Sequence, residues 1–277
     1  MSGRQLPFIG SNDPWTGGPK TAAALCVLAP NPSLMTLDGT NTWILHGPGR
    51  GCVVVDPGPA DPVHRDAILA AADALDAAIE GILLTHGHPD HSELAGELAD
   101  VAGVGVRALD PAHRLGDEGL PPGTMLHAAG LDLEVIGTPG HTRDSISLLV
   151  RSSGELLTGD TVLGRGTTVV AWPDGRLGEY LDSLKRLREL VDRAGVVDLL
   201  PGHGPMLQSP GEVLDAYLSH RQARLEEVRA AVADGHVNPA DIVAVVYANV
   251  PRAAWPAAEW SVRAQLAYLA ENGELPN

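Results

Sequence analysis

Seven side chains able to bind a metal are concentrated in four short stretches. "THGHPDH" places His86, His88, Asp90 and His91 within six residues, and "TPGH", "TGD" and "PGH" add His141, Asp160 and His203. These are imidazole and carboxylate donors only, a set that suits Zn²⁺, Fe or Mn²⁺ rather than a thiolate-seeking metal. Seven donors exceed one tetrahedral shell, so two divalent ions sharing a bridging ligand are expected. A pair of dications can polarise a carbonyl or phosphoryl oxygen and lower the pKa of a bound water toward ~7. Two dications set against two carboxylates and one hydroxide leave a net positive charge, which favours an anionic transition state.

Each cluster follows an apolar run: "ILLTHGH", "LEVIGTPGH", "ELLTGD" and "DLLPGH". If those runs are strands of similar sense, their carboxyl ends meet at one rim, where ligands from distant positions assemble. Gly87 and Pro89 hold a turn that a strand could not make. "TGDT" could also be read as a turn, and a lone histidine at a loop is usually only solvated. The repeated PGH setting after an apolar run argues for ligation at both His141 and His203.

Strand-like runs at "ALCVLAP", "NTWILHG" and "CVVVDPG", with a hairpin at 47–51, precede a helix expected over 61–79 with Asp61 as N-cap and Pro62 at N1. Further apolar runs alternate with helical patterns near 93–101 and 178–194, giving an α/β layered class. After Pro205 the strand signals stop, and helical ones take over at 210–234, 239–248 and 258–271. Two domains are therefore expected, a catalytic one at 1–205 and a small helical one at 206–277.

"THGHPDH", "TPGHT", "GDT" and "PGHG", in this order, resemble the metallo-β-lactamase superfamily, a four-layer αββα sandwich with metals on one rim. The resemblance covers roughly 22–205. "TLDGTNTWIL", "GDTVLGRGTTVV" and "PGHGP" followed by "YLSHRQARLEEV" resemble its β-lactamase-like-2 group, which includes an endoribonuclease and acyl-carrier-protein thioesterases and carries a winged-helix-like C-terminal appendage. The resemblance implies that His86, His88 and His141 hold one metal, that Asp90, His91 and His203 hold the other, and that Asp160 bridges them. Asp90 and Asp160 are the candidate catalytic residues, with Asp90 the candidate for proton handling. It also places Asn41, Thr42, Thr167 and Thr168 at the mouth as candidate substrate contacts, with His220 a further one.

Asp56, in "VVVDPGP", reads as a turn former, and the histidines at 46, 64, 113, 127, 220 and 236 as surface or helix-end residues. Cys26 and Cys52 sit in apolar stretches without CxxC spacing and read as reduced core residues.

The formal net charge of −16 opposes phosphate backbones and anionic membranes. The stretch 206–277 holds five Arg, no Lys and nine acidic residues, so it lacks the basic face that RNA binding needs. No apolar run is long enough to span a membrane, and "MSGRQLPFIGSNDPW" has no export-type apolar core. The expectation is a cytoplasmic, binuclear hydrolase that uses a metal-bound hydroxide on a small-molecule ester, thioester or lactone. The alternatives are an endoribonuclease cleaving single-stranded RNA, a glyoxalase II-like thioesterase and a non-enzymatic metal-binding protein.

Overall fold

The computed structural model describes residues 13–18 and 21–275. Most of the N-terminal stretch read above for an export signal lies outside these residues. Five strands form the first sheet in sequence order: β1 (Ala24–Leu28), β2 (Asn41–His46), β3 (Gly51–Val55), β4 (Ala78–Leu83) and β5 (Val106–Arg107). The second sheet has six: β6 (Met125–Ala128), β7 (Leu131–Gly137), β8 (Ile146–Val150), β9 (Glu155–Gly159), β10 (Asp198–Pro201) and β11 (Leu207–Gln208), in the order 11-10-9-8-7-6.

Because side chains alternate across a strand, each buried strand feeds two interfaces. Val53 and Val55 of β3, with Trp43 and Leu45 of β2, pack toward Leu148, Leu157 and Leu200 in the space between the sheets. Their neighbours Cys52, Val54 and Ile44 point the other way, onto Ile68 and Ala72 of α1 (Pro62–Ala74) and Leu98 of α3 (Ala95–Ala102). On the second sheet Leu149, Leu156 and Leu199 face Leu184, Leu187 and Leu190 of α4 (Leu177–Ala194). Three apolar interfaces separate four layers, the αββα sandwich that the family resemblance implied. Both cysteines are buried and free; burial is the main cause that pushes the Cys52 thiol up to about 11, reinforced by Glu80.

The Asp61 carboxylate caps α1 by accepting from Val63 N at 2.7 Å and His64 N at 3.2 Å, with Pro62 in the first turn. The helix stops at Ala74, short of the expected 79, because Asp76 turns to a positive φ of 52° and Ala78 N bonds the Arg50 carbonyl to open β4. The short helix α2 (Pro89–Ser92) begins inside the His-rich turn.

Strand structure continues past 205: β11 pairs antiparallel with β10, although two residues carry no periodicity a sequence could show. The rest of the described chain is helical, with α5 (Pro210–Ala233), α6 (Pro239–Val246) and α7 (Trp255–Glu271) as its main helices. Leu214 and Tyr217 of α5, Ile242 of α6 and Val262 of α7 extend the same apolar cluster that backs α4. Tyr217 locks this region to the sandwich, its hydroxyl accepting from Leu163 N at 2.8 Å. No helix among the described residues is long and apolar enough to cross a membrane.

Candidate metal centre

Strand sense explains why the four motifs meet. β7, β8 and β9 are successively antiparallel and β9 runs parallel to β10, so β7, β9 and β10 end on the same side. The loops after them carry His141, Asp160 and His203. In the first sheet β3 and β4 are parallel and finish beside Asp56 and His86. The two rims are stitched by backbone bonds from Ile146 N to the Thr85 carbonyl at 2.9 Å and from Asn41 N to the Gly202 carbonyl at 2.7 Å.

All seven predicted ligands come together there. His86 Nε2 lies 3.1 Å and His141 Nε2 3.0 Å from His88 Nδ1, so three ring nitrogens face one another. His203 Nε2 lies 3.2 Å from His91 Nε2 and 3.3 Å from Asp90 Oδ2, forming a second group. Between them, Asp160 places Oδ1 at 3.5 Å from His91 Nε2, and Oδ2 at 3.6 Å from His141 Nε2 and 3.4 Å from His203 Nε2.

The outward nitrogens of four rings are spoken for. Nδ1 of His86 faces Thr85 Oγ1 at 3.1 Å, that of His91 Asp56 Oδ2 at 2.9 Å, that of His141 the Val169 carbonyl at 2.8 Å, and that of His203 the Gly39 carbonyl at 3.2 Å. Protons placed on those Nδ1 atoms leave the Nε2 lone pairs pointing inward. A neutral imidazole has only one N–H, so inward-facing nitrogens 3.0–3.2 Å apart cannot all satisfy one another, whereas a cation between them satisfies every lone pair. Asp160 Oδ1 is buried without a hydrogen-bond partner among the described residues, which is also what a metal ligand requires. The donor set therefore fits divalent metal.

The electrostatics agree. Burial, reinforced by the neighbouring rings, holds His86 well below the usual histidine range, in the neutral form that ligates. Burial opposes charge on His203 as well, but Asp160 and Asp90 outweigh it and raise that ring to about 10. The field that would favour a proton there equally favours a metal cation. Burial works against ionised Asp160 too, yet the surrounding imidazoles hold its pKa well below the carboxylate norm.

Asp56 corrects the sequence reading. It does occupy a turn, with φ of 52°, but its carboxylate is buried and organises the centre. It accepts from Thr85 N at 2.8 Å and Thr85 Oγ1 at 2.6 Å as well as facing His91 Nδ1. Its oxygens are thus engaged on the outer side of the His91 ring, which makes it an orienting group although it also clusters with His86 and His91. The extended "VVV" run ending beside another strand that leads to ligands was the available signal.

Of the expected substrate contacts, Asn41 and Thr42 face the interior instead of the mouth. Asn41 Nδ2 donates to the carbonyls of Pro201 at 2.9 Å and Gly204 at 2.8 Å, bracing the loop that carries His203. Thr42 Oγ1 donates to the Asp56 carbonyl at 2.7 Å and meets His64 Nε2 at 2.8 Å, and His64 is itself a core residue rather than a surface one. Thr168 is buried with Oγ1 3.1 Å from His141 Nδ1. Thr167 and His220 line a cavity beside the 167–169 segment, together with Thr168.

Residues 35–203 match the family described as the metallo-beta-lactamase superfamily, and 239–274 match the beta-lactamase associated winged helix domain. The chain belongs to the metallo-beta-lactamase superfamily and is a metal-dependent hydrolase. It is 31% identical over 278 residues to the Beta-lactamase-like protein 2 homolog of Drosophila melanogaster, spanning 92% of this chain and 90% of that protein. The protein of the same name from Caenorhabditis elegans is 31% identical over 263 residues, 91% of this chain and 85% of that one. A beta-lactamase domain protein from Burkholderia ambifaria shares the fold with a TM-score of 0.78 at 23% identity, covering 93% of this chain and 88% of that one.

Proposed function

We propose that the protein hydrolyses a small-molecule ester, thioester or lactone with two divalent ions, zinc being the expected metal. Two donor groups joined by Asp160 support the count of two. His86, His88 and His141 would hold one ion, Asp90, His91 and His203 the other. When bound, the ions would supply carbonyl polarisation and lower the pKa of a bound water toward ~7.

The chain's own groups supply the rest. Asp160, with a side chain 10% exposed, is enclosed by three imidazoles, whereas the Asp90 side chain is 30% exposed and can reach incoming water. Burial works against its ionised form, but the His203 contact prevails and keeps the pKa low, so Asp90 is ionised at neutral pH and its carboxylate can receive a proton in passing. Water adds to the acyl carbon, Asp90 takes its proton, the C–O or C–S bond breaks, and the proton passes to the departing alkoxide or thiolate. The products are the acid and the alcohol or thiol.

The observation that carries the choice of a carbonyl over a phosphodiester is the cleft beside His88. Among the described residues it is lined by Asp110, Asp144 and Asp174 against one arginine, Arg143, whose Nε is already bonded to Asp174 at 2.9 Å. Phosphate would meet net negative charge there. Three of the arginines after 205 are likewise engaged, Arg224 with Glu227, Arg229 with Glu226 and Glu274, and Arg263 with Glu259.

The test is a screen of zinc-loaded protein against thioesters, lactones, phosphodiesters and single-stranded RNA, with His88→Ala as control. Turnover of an acyl substrate that His88→Ala loses is the expected result. RNA cleavage lost in His88→Ala, with binding that weakens steeply in salt, would establish the endoribonuclease reading instead.

A further inference from the structure

A second cavity, of about 410 Å³, lies between the 167–169 segment and helices α5 and α7. That is within the roughly 300–1,000 Å³ usual for small-molecule sites. Its rim gathers exposed apolar side chains that solvent alone would not favour: Leu34 is 70% exposed, Met35 and Trp260 each 47%. Pro256 and Ala257 continue the apolar wall from α7.

Among the described residues one arginine belongs to this lining and no carboxylate does. Arg221 is only 8% exposed, lies over the Tyr180 ring at 4.9 Å and donates to the Thr168 carbonyl. Its Nε has no hydrogen-bond partner among the described residues. A buried guanidinium without a carboxylate is costly, and an anionic ligand oxygen is the natural complement. In a chain of net charge −16 the cavity is a local exception in sign. His220 beside it is held neutral, lowered to about 4 chiefly by burial and then by Arg221 and Arg224, so it does not compete for the anion.

The cavity also shares a wall with the metal centre. Thr168 and Val169 line it while contacting His141 Nδ1 through Oγ1 at 3.1 Å and the carbonyl at 2.8 Å. We propose that this cavity receives the acyl arm of the substrate, an apolar group bearing an anionic oxygen that Arg221 recognises. The assignment rests on the acyl-hydrolase reading above. It makes the C-terminal helices a specificity-determining element.

Binding can be measured without turnover, by calorimetric titration of the full-length zinc-loaded protein with decanoate and with 1-decanol. Decanoate should bind at least tenfold more tightly than the alcohol. Ala257→Trp, which fills the cavity from a half-buried helix position away from every metal ligand, should weaken decanoate at least tenfold. Arg221→Gln should erase the preference for carboxylate over alcohol. Where an ester or thioester is turned over, decanoate should inhibit competitively, and Ala257→Trp should relieve that inhibition. No saturable decanoate binding, or binding unaffected by both variants but lost in His88→Ala, would overturn the proposal by placing the carboxylate on the metals. If no acyl compound is hydrolysed, the functional reading falls, while the titrations still decide the cavity.

Discussion

The Asp56 carboxylate stands 2.9 Å from His91 Nδ1, on the side of the ring away from the lone pair that faces His203. A carboxylate in that position fixes the tautomer and raises the basicity of the ligating nitrogen. Asp56→Ala should lower the affinity of the Asp90–His91–His203 group about 10–100-fold. Zinc titration against a competing chelator reads this, and two unchanged affinities would reduce Asp56 to a turn residue.

Metal content follows from the two donor groups. Elemental analysis of reconstituted wild-type protein should give about two ions per chain, His88→Ala about one, and Asp160→Asn a loss affecting both, because Asp160 lies between the groups. A ceiling of one ion in the wild type would remove the bridge.

Chelation should destabilise the fold. A ligand present at 100 to 1,000 times its Kd stabilises by roughly 3–4 kcal/mol per site, and stripping it also leaves inward lone pairs and a buried carboxylate oxygen unmatched. The melting temperature should drop by several degrees on chelation and recover with zinc. Identical melting curves would mean that the centre carries little metal.

Gly202 allows the cluster to close. A Cβ there would lie 2.5 Å from Asp160 Oδ1 and 2.7 Å from His91 Cε1, atoms held by the packing around them. Gly202→Ala should therefore cut metal affinity and activity at least tenfold while the far-ultraviolet spectrum stays native. Full activity in this variant would show that both ligands tolerate displacement.

Buried His64 gives the acid limb of stability a definite sign. Burial lowers its pKa to about 4, only partly offset by Asp61 and the Pro57 backbone. Between about pH 6.5 and 4 the unfolded chain binds the extra proton, so stability falls as pH decreases through that window and the penalty is absent above it. The full effect is roughly 3 kcal/mol. Comparing denaturant unfolding of wild type and His64→Gln at pH 7 and 4.5 should show a shallower decline in the variant; parallel declines would assign the acid limb elsewhere.

The donor cluster was legible in the sequence because its histidines and aspartates sit in turns that directly follow apolar runs, and Asp61–Pro62 announced α1 by local capping chemistry. Local signals of this kind need no knowledge of the partner strand. Asp56 was misread for the complementary reason: D-P-G is turn chemistry whatever lies above it, and only the parallel pairing of β3 with β4 brings Thr85 and His91 within reach. Asn41 lies 160 residues from the Pro201 carbonyl it donates to, and no spacing rule connects them. The two-residue β11 likewise exists only through its pairing with β10, and the cavity beside Arg221 only once α5 and α7 have packed beside the 167–169 segment. Residue types and spacing determined which chemistry was available; the packing of distant elements decided which polar groups face the metals, which brace them, and which face a second cavity, because burial and hydrogen-bond partners are properties of the assembled layers.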